Sequence, residues 1–287
     1  MTLQPVPLVT LVRRSRAAVL TGFLYSLSFL LSFLLLLPPY HEVFALPQGA
    51  QVEHGDVSIE PSGDSGLNVT ASDQAIIRWD SFDIDTAESV QFLQPFSSAT
   101  VLNRILGGQA SQIAGQLLAN GWVFLINPAG IVFAPTAVVN VGGLVASSLD
   151  LSNDAFLARS YQFIQPDGVA PGLVINRGAI STTADGGLIA LLGAAVANEG
   201  TIAAQLGTVA LASGSQVTLS FDPDGMVAVT VDAPTSTLVI GPDGQVQDGA
   251  VNAGSITAAG GTVLVKAAAI NQVFDRVINQ TGVIEAN

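Results

Sequence analysis

The sequence predicts an all-β protein in which the chain winds into a stack of coils, a β-solenoid. Short apolar runs rich in Val, Ile and Leu alternate with Gly, Pro, Asn and Asp after residue 45, as is typical of strands joined by turns. No window holds a helical apolar period over three turns. From about residue 174 a unit of strand, turn and strand recurs, and such a unit buries its apolar face only by stacking on its neighbours.

Composition excludes several classes of function. The 287 residues are 49% hydrophobic and 11% charged, and the formal net charge is −13. An acidic chain lacks the basic stripe that phosphate backbones require, so nucleic acid is not an expected partner. Because there is no cysteine and there are only two histidines, His41 and His54, we expect no disulfide, no thiolate chemistry, no metal site and no cofactor.

The N-terminal segment has the three parts of a secretory signal peptide. Three arginines precede the uncharged stretch 17–37, a double proline follows it, and small residues, Val43 and Ala45, occupy positions −3 and −1 of a cleavage position after Ala45. We predict removal of residues 1–45 and a single domain over 46–287. An uncleaved membrane anchor is the alternative, because an uncharged stretch of this length is enough to cross a bilayer.

Strands are predicted wherever a short β-rich run is bounded by turn residues. In chain order they are Ala75–Trp79, Ser89–Leu93, Trp122–Ile126, Ile131–Phe133, Val138–Val141, Leu188–Leu192 and Thr262–Val265. Two segments favour a helix instead: 111–119, which Gly115 interrupts, and 153–158, where Asn153 could cap one or two turns.

One asparagine marks each copy of the repeat. The four are Asn176, Asn198, Asn252 and Asn279, and the interval between the second and the third is about twice as long as the other two. We predict that they lie at equivalent corners of successive coils, where their amides form a hydrogen-bonded ladder from coil to coil. This structural role is favoured over ligand binding.

The long interval between Asn198 and Asn252 requires an insertion between two coils. Apolar and polar residues alternate on both sides of the turn sequence Asp-Pro-Asp-Gly at 222–225, so we predict a β-hairpin over Gln216–Val231 that projects from the stack. The carboxylates of Asp222 and Asp224 could bind calcium, but a simple turn is favoured.

A longer set of motifs resembles a known family. The motifs are Trp79 with Phe82-Asp83-Ile84, the segment 90–95, Leu102-Asn103-Arg104-Ile105, 111–117, Asn120-Gly121, 124–133 and 139–147. Together with the later repeats they resemble, over nearly all of 46–287, the N-terminal (haemagglutination-activity) domain of filamentous haemagglutinin. That domain is the secretion domain of exoproteins that leave the cell by two-partner secretion.

The resemblance implies a right-handed parallel β-helix with an N-terminal cap. It also implies export through the periplasm to the cell surface or medium of a Gram-negative-type bacterium. The partner would be an outer-membrane β-barrel transporter that recognises the domain through POTRA modules. On this basis 46–152 would hold the cap, the first coils and the secretion motifs, and 153–287 the repeats. The protein would be an adhesin or related exoprotein whose surface receptor the sequence does not identify.

The resemblance assigns the transporter-recognition or folding motif to two groups of residues. These are Asn103, Arg104, Asn127, Pro128, Ala129 and Gly130. The family has Asn-Pro-Asn-Gly where this chain has Ala129 at the third position, and the family's second Asn-Pro motif is not preserved near Gln94-Pro95-Phe96. By itself, 127–130 has the signature of a type I turn. A corner needed for folding is favoured over direct transporter contact, and the two roles are compatible.

The competing function is a secreted polysaccharide-active β-helix enzyme. Such enzymes need clustered carboxylates in a groove, whereas candidate pairs such as Asp83 and Asp85 flank a turn. The pair Ser147-Ser148 has no neighbouring base and no nucleophile motif. We therefore expect no catalytic residues.

The two ends of the stack differ in sequence. Leu46–Asn68 is predicted to cover the first coil, whereas nothing comparable closes Gly282–Asn287. An uncovered β-helix end is an open edge. Either the chain is a fragment of a longer exoprotein or this end pairs with something else.

Overall fold

The computed structural model describes residues 45–222, 226–241 and 244–287. Over these residues the chain forms a parallel β-helix in which successive coils contribute strands to three sheets. The prediction of an all-β solenoid is confirmed. The predicted leader lies outside the described residues except for Ala45, and no helix within the described ranges is long and apolar enough to cross a membrane.

The three sheets run along the helix axis. Sheet 1 contains β1 (Gln51–His54), β4 (Ala75–Trp79), β6 (Thr100–Ile105), β9 (Trp122–Ile126), β12 (Gly143–Ser147), β16 (Leu188–Gly193), β19 (Thr208–Ser213) and β24 (Thr262–Ala267). Sheet 2 contains β7 (Ser111–Ile113), β10 (Ile131–Phe133), β14 (Leu173–Asn176), β17 (Ala195–Asn198), β22 (Ala250–Asn252) and β25 (Ile278–Gln280). Sheet 3 contains β2 (Val57–Pro61), β3 (Gly66–Ala71), β5 (Ser89–Leu93), β8 (Gln116–Ala119), β11 (Val138–Val141), β15 (Ala179–Thr182), β18 (Thr201–Ala203), β23 (Ser255–Thr257) and β26 (Val283–Glu285).

The N-terminal cap consists of the two antiparallel edge strands. β1 pairs antiparallel with β4 at the edge of sheet 1, and β2 pairs antiparallel with β3 at the edge of sheet 3. All other pairs described within the three sheets are parallel. The reversed strands therefore close the first coil, as the sequence predicts for Leu46–Asn68.

The inner strands of sheet 1 are buried on both faces, whereas the edge strand β1 is exposed and β24 is only partly buried. One face lines the bore of the β-helix, and the other packs against a second apolar cluster outside it. The second cluster is covered by helix α1 (Asn153–Leu157) and by a three-stranded antiparallel sheet of β13 (Tyr161–Ile164), β20 (Gln216–Phe221) and β21 (Val227–Ala233). The predicted hairpin is present as β20 and β21, but it packs against sheet 1 instead of projecting from the stack, because its apolar face is buried in this cluster. Residues 223–225 of its turn lie outside the described part. The third strand, β13, was not predicted.

The two predicted helical segments have different outcomes. Segment 111–119 is not a helix but the strands β7 and β8, separated by a tight corner at Gly115. A Cβ atom at Gly115 would lie 2.1 Å from the carbonyl oxygen of Asp85, so the glycine is needed for close stacking of coils. The second segment is helical as α1, but Ser152 caps it instead of Asn153 and accepts a hydrogen bond from the backbone of Ala155.

Three of the four repeat asparagines form a ladder at one buried corner. Asn176 Nδ2 donates to Asn198 Oδ1, and Asn198 Nδ2 donates to Asn252 Oδ1, each at 2.8 Å. The expectation for Asn279 is wrong, because the extra residue in the last repeat puts Gln280 opposite Asn252 and Asn279 opposite Val251. Asn279 instead donates to Asp248.

We expect Asn198→Ala to lower the free energy of unfolding by about 2 kcal/mol, because it removes the Asn198 partner of two buried amides, those of Asn176 and Asn252. Urea unfolding followed by circular dichroism measures the loss. Asn279→Ala, which lies outside the ladder, is the matched control and should cost less than about 1 kcal/mol. Equal losses for the two variants would contradict a stabilising ladder.

The second apolar cluster contains several packed aromatic rings, and one of them belongs to the titratable residue Tyr161. The ring of Tyr161 lies 5.2 Å from that of Phe124 and 5.6 Å from that of Phe221. Burial raises the pKa of the Tyr161 hydroxyl above its ordinary value near 10, and the nearby Arg159 partly offsets the increase. The unfolded chain therefore releases this proton at a lower pH than the folded chain does.

Stability is accordingly expected to fall as the pH rises above about 10, and Tyr161→Phe should remove part of that fall. The melting temperatures of both proteins between pH 9 and 11 test this. Tyr161 is the only tyrosine in 46–287, so its absorbance titration reports the same group directly. Parallel declines in the two proteins would contradict the prediction.

Candidate functional site

The motif 127–130 forms a tight corner between β9 and β10. The backbone N–H of Gly130 donates to the carbonyl of Asn127 at 2.8 Å, and the N–H of Ala129 donates to Asn127 Oδ1 at 3.0 Å. These are the bonds of a β-turn and an Asx-turn. Gly130 has a φ of +116°, and a Cβ atom there would lie 2.9 Å from the carbonyl oxygen of Leu173. The corner therefore requires glycine at its last position.

The Asn127 side chain faces inwards and ties the corner to the preceding coil. Its Nδ2 donates to the carbonyl of Gln109 at 2.9 Å and to Ser111 Oγ at 3.0 Å. Only 1% of the residue is exposed. Pro128 and Ala129, by contrast, are partly exposed. A partner could contact the second and third positions of the motif, but not the Asn127 amide.

An open apolar cleft of about 560 Å³ lies beside this corner. Pro128 and Ala129 form one part of its wall, and the exposed side chains of Leu106 and Val169 form others. The remaining lining residues are Ile105, Gly108, Asn127, Gly168, Ala170 and Pro171. We call this feature the corner cleft.

Asn103 and Arg104 lie on β6, next to β9, and their side chains face in opposite directions. Asn103 faces the bore, where its Oδ1 accepts a hydrogen bond from Trp79 Nε1 at 2.9 Å. Arg104 faces the outer elements. Ile105, the next residue, reaches the corner cleft. The structure therefore brings β6 and the 127–130 corner together, but it does not place Asn103 or Arg104 in the cleft.

Arg104 joins four parts of the chain. Its Nε donates to Asp150 Oδ1 at 2.9 Å, its Nη1 to Asn153 Oδ1, and its Nη2 to the carbonyl of Leu151. Nη1 also lies 3.7 Å from the carboxylate of Glu53 in the cap strand β1. The side chain is 10% exposed. Arg104 thus links the cap, a coil strand, the chain after β12 and the helix α1.

The residues considered for catalysis are occupied by structural bonds. Asp83 Oδ1 accepts from the backbone of Gln112 at 2.7 Å, and Asp85 Oδ1 accepts from the backbone of Thr86 at 2.6 Å. Ser147 and Ser148 are buried and hydrogen bonded to backbone carbonyls. Within the described ranges no three His, Cys, Asp or Glu side chains are grouped so as to hold a metal ion.

The family comparison agrees with this architecture. The family described as "TPS secretion domain" matches residues 44–287. The chain belongs to this family. This TPS domain is also similar to the solved structure of the HMW1 secretion domain from Haemophilus influenzae, with 35% identity and a TM-score of 0.66. That match covers 77% of this chain and 57% of the solved chain.

Two curated relatives of the TPS domain are both named heme/hemopexin-binding protein and come from Haemophilus influenzae. One, from strain Rd, is 34% identical over 219 residues, which is 74% of this chain and 23% of that protein. The other is 42% identical over 118 residues, which is 41% of this chain and 13% of that protein. The chain thus spans less than a quarter of the length of these relatives. It is the secretion domain of an exoprotein.

Proposed function

We propose that an outer-membrane transporter recognises this domain through periplasmic POTRA modules, and that the domain then nucleates folding of the exoprotein outside the cell. Secretion or surface display by a Gram-negative-type bacterium follows from this route. The observation that carries the proposal is the asymmetry of the stack. Reversed strands close the first coil, and each later coil is added by parallel pairing to the one before it.

Sequential addition suits export of an unfolded chain. A solenoid coil contacts mainly its neighbours, so each emerging coil can fold on the last one without waiting for distant sequence. The chain has no cysteine that could cross-link it before transport. Folding on the outer side would oppose its return. We assign this nucleating role to 46–152.

The corner cleft is the proposed contact with the transporter. It combines exposed apolar side chains with the motif corner, and its walls come from separate coils that are in place only when the first turns of the stack have formed. A partner that binds there would therefore recognise only a domain whose first coils have stacked correctly. Exposed apolar surface of this kind commonly marks an interaction site.

Two export assays with a co-expressed transporter test the proposal. Deletion of Leu46–Ser152 is expected to abolish secretion. Val169→Asp, in the cleft, should reduce secretion while the purified domain stays folded, whereas Val138→Asp, equally exposed but on sheet 3, should be secreted normally. Normal secretion of the deletion variant would overturn the nucleating role, and normal secretion of Val169→Asp would overturn the cleft assignment.

The enzymatic alternative has a direct test of its own. The carboxylates of Asp83 and Asp85 each accept a hydrogen bond from a backbone N–H, which supports a structural role for these acids. We propose that the domain is not an enzyme. Incubation of the purified domain with acidic and neutral polysaccharides should release no products, and any cleavage would contradict this part of the proposal. For an exoprotein that carries this domain, we propose adhesion to a cell-surface receptor.

A further inference from the structure

Glu88 is a buried carboxylate immediately before β5. Only 2% of the residue is exposed. Its Oε2 accepts a hydrogen bond from the backbone N–H of Asp85 at 2.7 Å, and its Oε1 accepts one from the backbone N–H of Ala45, also at 2.7 Å. Both donors are neutral amides.

Glu88 has no cationic partner among the described residues. Within the part of the chain that the structure describes, no Lys, Arg or His forms an ion pair with it. A buried carboxylate is costly unless a cation accompanies its hydrogen bonds. Arg104, the most buried cation of the ion pairs, has two carboxylates within 4 Å. An additional positive charge next to Glu88 would therefore lower the cost of burying its carboxylate.

The first described residues are held beside this carboxylate. Ala45 reaches Glu88 through its N–H, the side chain of Leu46 packs against the bore cluster, and Pro47 is buried. Gln48 then pairs with Ser81, with its N–H donating to the carbonyl at 3.0 Å. Glu88 binds the backbone nitrogen of Ala45, and the nitrogen of Leu46 is the next one along the chain. Because consecutive Cα atoms are only about 3.8 Å apart, the Leu46 nitrogen lies close to the Glu88 carboxylate.

We propose that Glu88 binds the α-ammonium group of Leu46 in the processed protein. Hydrolysis of the Ala45–Leu46 bond by signal peptidase consumes one water. It leaves the new carboxylate on the departing leader and an amine on Leu46. That amine takes up a proton at neutral pH, because α-amino groups titrate near pH 8. The inference rests on the proposed export route, since it requires that the leader ends at Ala45.

Processing then completes the cap. Before cleavage, Glu88 accepts a hydrogen bond from the backbone N–H of Ala45, the last residue of the leader. After cleavage, it binds the charged α-ammonium group of Leu46, the first residue of the domain. The ion pair ties the start of the mature chain to the Asp85–Glu88 turn, which packs against Gly115 in the next coil. Removal of the leader is thereby coupled to the stability of the first coils.

A cycle of four proteins tests the pairing. The chain beginning with a free Leu46 is compared with a chain beginning with acetylated Ala45, each with Glu88 and with Glu88→Gln. With Glu88, the free Leu46 start should raise the melting temperature by about 3–6 °C, as expected for one or two kcal/mol in a domain of this size. With Glu88→Gln, the difference should disappear. Equal melting temperatures of the two Glu88 proteins, or a difference that survives Glu88→Gln, would overturn the proposal.

A second measurement remains informative if Glu88→Gln does not fold. The Leu46 amine of the otherwise unaltered chain should be modified by an acylating reagent at least several-fold more slowly in the folded than in the urea-unfolded protein, and a similar rate in both would overturn the pairing. N-terminal sequencing of the exported protein separately locates the cleavage position. Because the cycle uses defined starts, its outcome is independent of the secretion assays.

Discussion

Replacement of Arg104 by methionine is expected to lower the free energy of unfolding by about 2–3 kcal/mol, because the hydrogen bonds of a buried charged group are lost, whereas the carboxylates left behind are partly exposed and can be hydrated. The methionine fills much of the side-chain volume but donates no hydrogen bond. Asp150 and Asn153 lose their donor, and the carbonyl of Leu151 loses its Nη2 partner. Urea unfolding of the purified domain measures the change. Export should fall with it if the cap and first coils nucleate folding.

Arg177→Met is the matched control, because it removes an arginine whose ion pair with Glu199 is about half-exposed to solvent. The side chains of that pair are 43% and 42% exposed, and exposed pairs contribute little. We expect a loss below about 1 kcal/mol. A loss for Arg104→Met no greater than that of the control would show that the four-part junction is not a principal support of the fold.

The second large effect is expected for Asn127→Ala. The substitution removes the two donated hydrogen bonds to the preceding coil and the bond that the side chain accepts from Ala129. We expect a loss of roughly 3 kcal/mol, since a buried carbonyl and a hydroxyl are left with fewer partners and the turn loses its closing bond. Unfolding in urea and secretion with the transporter should both register the change.

Ala129→Asn is the informative control for this motif. It restores the residue that the family pattern has at the third position, on a side chain that is partly exposed. Stability should change by less than about 0.5 kcal/mol, and secretion should persist. If Asn127→Ala were fully stable, the motif would have no role in folding of the corner, and a strong effect of Ala129→Asn on export would leave surface contact as its only role.

The geometry separates two roles within one motif. Asn127 and Gly130 fix the backbone, because the first holds the neighbouring coil and the second accepts a φ of +116°. Pro128 and Ala129 provide surface. The departure from the family pattern at Ala129 therefore alters the surface of the corner but not its construction.

Strands of the coils could be predicted because their apolar runs end at obligatory corners. Trp122–Ile126 and Ile131–Phe133 are observed as predicted, since a turn of fixed chemistry separates two runs that can only be buried by stacking. The Asn176, Asn198 and Asn252 ladder was predictable for the same reason. The repeat spacing fixes which residues lie above one another, as long as no residue is added.

Other features depended on packing that local sequence does not encode. The partners of Arg104 lie far along the chain in both directions, at Glu53 and within 150–153, and no spacing pointed to them. Segment 111–119 was misassigned because its two strands are only three and four residues long, too short for a period of two to be recognised. The continuous apolar runs in sheet 1, such as Leu188–Leu192, indicate burial on both faces, but they do not identify which segments cover the outer face.

The segments 148–172 and 214–249, which carry α1 and the three outer strands, leave the stack at the same corner, between sheet 1 and sheet 2. In the coil between them, Ala194 alone makes that corner. The parallel pairing of the neighbouring strands is nevertheless unbroken across all three coils. Insertions and deletions at this corner consequently leave the stacking of the coils unchanged, provided that what remains still covers the apolar outer face of sheet 1. Within that limit, evolution can lengthen or exchange the segments carried on this side without altering the spacing of the coils.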